Sequence, residues 1–116
     1  MSLSVQIYIK SDTLFVRLSG ELDHHTSGQL KNRVDDLMER YDITNMVFNM
    51  RQLEFMDSSG IGVILGRYKQ LKRFNGMLVL CELNDGVERL VKLAGLHKIC
   101  VVTKDETQAI NYLGVA

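Results

Sequence analysis

The stretch FMDSSGIGVILG, residues 55–66, sets two adjacent serines after an aspartate and threads three glycines through an apolar run. Its second half continues into a helical pattern, with Ile61, Ile64, Leu65, Tyr68 and Leu71 falling on one face. Lys69, Lys72 and Arg73 crowd the last turn, where positive charge suits the helix dipole, and Asn75-Gly76 stops it. Asp57 or Ser58 then stands at the N-cap, where a side-chain oxygen accepts free N–H groups of the first turn. A buried strand, MVFNM (46–50), precedes this unit, and MLVLC (77–81) follows it. Strand, helix and strand in that order point to parallel pairing.

The same alternation extends in both directions. VQIYI (5–9) and TLFVRL (13–18) read as strands, and the KSD between them predicts a hairpin. Leu30, Val34, Leu37, Met38 and Tyr41 mark a helix, with Thr26 and Gln29 as its capping box. Asn84 caps a helix through Val87, Leu90, Val91 and Ala94, ended by Gly95. ICVV (99–102) is the last strand, and Thr103 with Glu106 caps a final helix carrying Ala109, Ile110 and Leu113. The order is β-β-α-β-α-β-α-β-α, an α/β fold with a mainly parallel mixed sheet and packed helices. Sites in such sheets gather where strands end and helices begin. The two loops of that kind are GELDHHTSG (20–28) and LEFMDSSG (53–60).

The 116 residues suffice for one domain, expected to span 1–116; no linker or repeat divides them and proline is absent. Fourteen basic and fourteen acidic residues cancel, which removes any general attraction to nucleic acid or an anionic membrane. No apolar run approaches a membrane span, and MSLSVQIYIKS lacks the pattern of a signal peptide. Cys81 and Cys100 are too far apart for a zinc knuckle or C-x-x-C motif; both end apolar runs and read as buried free thiols in a reducing cytoplasm.

Enzymatic readings of the serine loop fit poorly. A nucleophile elbow requires G-x-S-x-G, but Met56 stands two before Ser58 and Asp57 two before Ser59. Gly60-x-Gly62 with Glu82 imitates a dinucleotide fingerprint, yet its third glycine position holds Leu65 and the glycines sit inside the helical pattern. Asp57 and Lys104 suggest an aspartyl receiver, but the receiver's acidic pair belongs after a first strand that here enters a hairpin. A phosphoacceptor serine remains compatible, because a phosphate at a helix N-terminus meets free N–H groups and a favourable dipole. A small α/β enzyme or nucleotide-binding domain using Asp57 to Gly62 stands as the alternative.

GELDHHT (20–26), FMDSSGIGVILGRYKQ (55–70) and the terminal LGVA (113–116) resemble the anti-sigma factor antagonists of the STAS family over nearly the whole chain. The resemblance implies the same β-β-α-β-α-β-α-β-α order. It also implies a cytoplasmic, monomeric binding module with no cofactor and no reaction of its own. Its unphosphorylated form would bind an anti-sigma factor serine kinase carrying ADP or ATP, releasing sporulation sigma factor F. Phosphorylation of Ser58, the first serine of D-S-S-G, would end binding. A PP2C-type phosphatase, stage II sporulation protein E, would restore it. Asp23, Asp57, Ser58, Ser59, Gly60, Ile61 and Gly62 are the expected partner-binding residues.

Other residues carry competing expectations. Asp23 either caps the first helix and its own turn or, as the resemblance implies, offers an exposed carboxylate to an arginine of the kinase. Asp23-His24-His25 hints at a metal, but adjacent histidines do not readily face one centre, so none is expected. Ile61 is core or an apolar contact at the loop rim. Gly62 and Gly66 share a helix face open to close approach by the sheet or a partner. Arg67, Lys69 and Arg73 read as a solvated face.

Overall fold

The computed structural model describes residues 2–115; the Met1 and Ala116 ends of the expected 1–116 span lie outside the described residues. Five strands form one sheet in the order β1-β2-β3-β4-β5. They are β1 (Leu3–Lys10), β2 (Thr13–Leu22), β3 (Asn45–Met56), β4 (Leu78–Cys81) and β5 (Val101–Thr103). The helices are α1 (Ser27–Arg40), α2 (Ser58–Lys72), α3 (Asp85–Leu93) and α4 (Glu106–Leu113), with a 3₁₀ turn at Leu96–Lys98. The β1–β2 pair is antiparallel and every other pair is parallel, as the alternation predicts. Ser11 takes the hairpin's left-handed position at φ 55°, between the Lys10–Thr13 pair.

Strand alternation sorts side chains into two cores. Leu14, Val16 and Leu18 of β2, Met46 and Phe48 of β3 and Leu78 and Leu80 of β4 pack beneath Leu30 and Val34 of α1, Ile64 and Leu71 of α2 and Val87 and Val91 of α3. The opposite face of the sheet turns Phe15, Val47, Val79 and Cys81 toward Ala109 on α4. That smaller core is reinforced at its edge. Tyr8 stacks on Phe15 with ring centroids 4.5 Å apart, and its hydroxyl donates to Glu106 at 2.9 Å. Arg17 donates to both oxygens of Glu106, at 2.8 and 2.9 Å, and Asn49 Nδ2 donates to the same carboxylate at 2.7 Å. Arg17 first, then Asn49 and Tyr8, outweigh partial burial and hold the Glu106 carboxyl down to about 2. Cys81 and Cys100 are buried free thiols, pushed up by burial to about 12 and about 11.

Several boundaries and caps differ from the sequence expectation. β2 and β3 continue through Leu22 and Met56, absorbing much of both predicted loops. Register shifts between Arg17 and Ser19 and between Gly20 and Glu21 break the two-residue alternation, which hides these strand ends in sequence. Thr26 precedes α1 but makes no side-chain cap bond; its Oγ donates to Glu21 O at 2.8 Å, and Gln29 reaches instead to Leu3 O. Asp105, not Thr103, caps α4 by accepting from Gln108 N, which frees Glu106 for Arg17. Ile99 and Cys100 belong to the turn after the 3₁₀ segment, so β5 begins at Val101. Arg67 is not solvated: it is 4% exposed, donates to Gln70 at 2.7 Å and lies 3.6 Å from Asp35 of α1. Its stem fills the α1–α2 seam, and burial, only partly offset by Asp35, lowers its pKa. Tyr41 falls at the α1 C-cap and is exposed. The Asn84 cap and the Asn75-Gly76 stop match expectation. At Gly76 any Cβ would run into the carbonyl oxygen of Thr44.

Candidate functional site

Adjacent parallel strands β2 and β3 end side by side, with Leu22 paired to Met56. Asp57 N donates to Leu22 O at 3.2 Å, so the chain leaves β3 tied to the end of β2. A single residue, Asp57, links β3 to α2. Its backbone is extended at φ −115°, ψ −169°, and its Oδ1 accepts from Ser59 N at 2.8 Å. This is the N-cap geometry expected of Asp in that position. Ser58 is the first helical residue and is exposed, while Ser59 is half-buried.

The helix sits close to the strand ends because Gly60 has no side chain. A Cβ there would lie 2.5 Å from Met56 Cγ and 3.0 Å from Leu22 Cγ. Ile61 is half-buried and packs on the main core. Gly62 is exposed, and a Cβ on it would meet nothing within 4 Å. Gly66 is half-buried, and a Cβ on it would likewise meet nothing within 4 Å. The sheet is therefore excluded as the reason for these two glycines.

The neighbouring loop shows which of the two expectations for Asp23 its geometry matches, the one in which it bonds its own turn. Its side chain is not an exposed carboxylate: Asp23 is 3% exposed. Oδ1 accepts from His25 N at 2.9 Å and Thr26 N at 3.1 Å, with Thr26 Oγ 3.3 Å away. Asp23 N in turn donates to Thr26 Oγ at 3.0 Å. Burial pushes this carboxyl up, but the His25 and Thr26 hydrogen bonds and the nearby His25 more than offset it, leaving it below the ordinary carboxylate range. A tight turn whose N–H groups need an acceptor consumes the charge.

The two loops meet through His24, whose Nδ1 lies 3.9 Å from Asp57 Oδ2. The His24 and His25 rings lie with centroids 3.9 Å apart and planes tilted by 40°. Among the described residues, no group of three or more His, Cys, Asp or Glu is placed to hold a metal ion. Asp57 faces His24, while the exposed Lys104 precedes α4 and its backbone N donates to Gln108 Oε1, so the receiver pairing does not assemble. Glu82 accepts from Asn49 at 3.0 Å, and Gly60 and Gly62 lie inside α2, away from the turn a dinucleotide fingerprint requires. The His24–Asp57 contact joins residues 33 apart in sequence and had no local signal. Among the described residues, no helix is long and apolar enough to cross a membrane.

The arrangement presents one exposed hydroxyl at the positive end of a 15-residue helix, on a bed fixed by Gly60, Met56 and Leu22. It can accept a phosphoryl group with little rearrangement. Similarity to known proteins agrees with the fold. Residues 4–109 match the STAS domain. The chain is 41% identical over 115 residues to an anti-sigma F factor antagonist of Paenibacillus polymyxa, covering 99% of this chain and 98% of the relative. Its fold superimposes on the anti-sigma factor antagonist SpoIIAA in its unphosphorylated form with TM-score 0.78 and 27% identity, covering 95% and 97% of the two chains. For the phosphorylated form of the Bacillus cell fate determinant SpoIIAA the values are 0.75 and 29%, covering 95% and 99%. By domain match, sequence and architecture together, the chain belongs to the STAS domain family.

Proposed function

We propose that this chain is an anti-sigma factor antagonist, a single STAS domain working as a cytoplasmic monomeric unit, switched at Ser58. The observation that carries the reading is the exposed Ser58 at the N-terminus of α2, in the D-S-S-G loop of a chain 41% identical to an anti-sigma F factor antagonist. The unphosphorylated form binds an anti-sigma factor serine kinase holding ADP or ATP and frees the sigma factor, sporulation sigma factor F. The kinase transfers the γ-phosphoryl group of ATP to Ser58 Oγ; ADP leaves, and the hydroxyl proton is released. A PP2C-type phosphatase, stage II sporulation protein E, hydrolyses the phosphoserine with water and returns serine and inorganic phosphate. The chain contributes an acceptor and a surface, with no reaction and no cofactor of its own.

The partner face consists of Asp57, Ser58, Ser59, Ile61 and Gly62, with Gly60 setting the height of the helix. Asp23 holds the adjoining loop in shape. Phosphorylation adds nearly two negative charges beside Asp57. The α2 N-terminus and the nearby His24 tolerate that charge, so the fold changes little. A kinase surface that already faces nucleotide phosphates does not tolerate it, and the complex separates.

Incubation with the kinase and ATP, followed by mass spectrometry, tests the assignment. Phosphate is expected on Ser58, and on Ser58 still in the Ser59→Ala protein. Ser58→Ala should bind the ADP-loaded kinase without being switched off, and Ser58→Asp should bind weakly. Phosphate mapped mainly to Ser59 would overturn the assignment. So would a Ser58-phosphorylated protein that binds as tightly as the unmodified one.

A further inference from the structure

We propose, on the reading of Ser58 as the phosphoacceptor, that Arg67 is its positioning residue: keyed to Asp35 of α1, Arg67 fixes the roll of α2 and so the direction in which the Ser58 hydroxyl points.

The buried stripe of α2 runs Gly60, Val63, Ile64, Arg67, Leu71. A charged residue stands in this stripe, 4% exposed, where an apolar side chain of similar length would pack at lower cost. Its guanidinium is poorly satisfied there. Nε donates to Gln70 Oε1 at 2.7 Å, Nη2 lies 3.6 Å from Asp35 Oδ1, and Nη1 has no partner. Among the described residues, Nη1 is the one buried side-chain polar atom left without a hydrogen bond. Burying an incompletely bonded cation works against the fold, so stability does not account for Arg67.

Its location does. Asp35 gathers the seam between the helices: Oδ2 accepts from Lys31 at 2.8 Å, and Oδ1 accepts from Gln70 Nε2 at 3.1 Å and faces Arg67. Among the described hydrogen bonds and ion pairs, those of Gln70 and Arg67 with Asp35 are the only ones that cross from α1 to α2. Such a key matters because the first half of α2 is poor in side chains. Gly60, Gly62 and Gly66 contribute none, and a Cβ on Gly62 or Gly66 would meet nothing within 4 Å. Interlocking rows of side chains normally decide how one helix lies on another. Here Val63 and Ile64 remain, and hydrocarbon contact is non-directional. A guanidinium facing a carboxylate and an amide prefers one arrangement. Gly60 therefore sets how closely α2 approaches the strand ends, and Arg67 sets its roll. Arg67 stands nine positions after Ser58, about 13 Å along the axis, and the helix between them turns as one body. A roll of about 10° moves an atom about 5 Å from the axis by about 1 Å. A misplacement of that size costs up to about 100-fold in a transfer step.

Two substitutions separate positioning from stability. Arg67→Met removes the buried charge and leaves Asp35 with Lys31, so the melting temperature should hold or rise. Asp35→Asn leaves Arg67 buried with less compensation, so the melting temperature should fall by several degrees. Both should turn α2. Residual dipolar couplings of its backbone amides, measured on the unphosphorylated chain without kinase, should show a reorientation of about 10° against α1. In steady-state phosphorylation of Ser58, kcat should fall about tenfold or more in both variants, with KM within about threefold of the native value. Arg67→Lys keeps the cation and should recover most of the lost kcat. A kcat that follows melting temperature, falling in Asp35→Asn but not in Arg67→Met, overturns the proposal. So does an unturned α2 in Arg67→Met. An Arg67→Met protein that does not fold overturns it too, since the cation would then belong to the stability of the chain. A native chain that the kinase leaves unmodified at Ser58 would sink the phosphoacceptor reading instead, and the couplings would still decide whether Arg67 sets the roll.

Discussion

Asp23 and Asp57 occupy matching places: each follows one of two neighbouring parallel strands, and each precedes a helix. Their side chains are used in opposite ways. Asp23 turns inward and accepts from two backbone N–H groups of its own turn, leaving nothing at the surface. Asp57 binds one N–H, keeps a side chain that is 30% exposed, and leaves its neighbour Ser58 outside the fold. The difference lies in chain length. Four residues, Asp23 to Thr26, must turn between β2 and α1, and their N–H groups need an acceptor; one residue joins β3 to α2. A one-residue link needs little internal bonding, and so its hydroxyl and carboxylate remain available to a visitor.

The largest effect should come from closing the gap that makes the short link possible. Gly60→Val puts a branched side chain against Met56 and Leu22 and should cost about 2 kcal/mol in urea unfolding, with loss of phosphorylation at Ser58 as α2 is pushed outward. If stability is unchanged, the bed beneath Ser58 is softer than the geometry states. Next comes Asp23→Ala, which orphans the turn. It should lower the melting temperature by several degrees, more than Asp57→Ala, whose cap is worth about 1 kcal/mol. The Asp23 carboxyl is lowered in the fold, so its stabilisation is present above the ordinary carboxylate pKa and is lost as pH falls through the lowered value. The gap between wild type and Asp23→Ala should accordingly be full at neutral pH and shrink in acid. Equal melting temperatures for the two alanine variants would erase the contrast between the loops.

Smaller effects probe the open side. Gly62→Ala meets no atom within 4 Å and removes a flexible residue from a helix, so it should stabilise by up to about 1 kcal/mol. If it also weakens kinase binding, the partner comes close to that helix face. Ser58→Ala, at an exposed position, should change stability by less than about 0.5 kcal/mol while abolishing phosphorylation. A larger loss would mean that the hydroxyl is part of the fold.

Much of this contrast was legible in residues and some was not. Helical spacing identified α2 and α3, Asn84 announced itself as a cap, and of the two candidates Asp57 and Ser58 it is Asp57 that caps α2; these bonds are local. Thr26 and Thr103 misled because their hydroxyls are spent on backbone carbonyls, donating to Glu21 O and Asp105 O, while Asp105 takes the Gln108 N–H as the α4 cap. Arg67 looked like a surface cation because pattern counts charge and ignores a long apolar stem. The Glu106 cluster joins residues 57 to 98 positions apart, and no window along the chain contains them together. The burial of Asp23 depends on how its turn folds back, which a sequence motif does not encode.

The two buried thiols carry a practical consequence. With pKa values near 12 and 11, Cys81 and Cys100 hold almost no thiolate at neutral pH, so alkylating reagents find neither nucleophile nor access while the chain is folded. Cys81 sits under α4 and Cys100 beneath the main core, so each reports the opening of a different layer. Labelling rates at the two positions amount to a pair of clocks already installed in the native sequence, one for each side of the sheet.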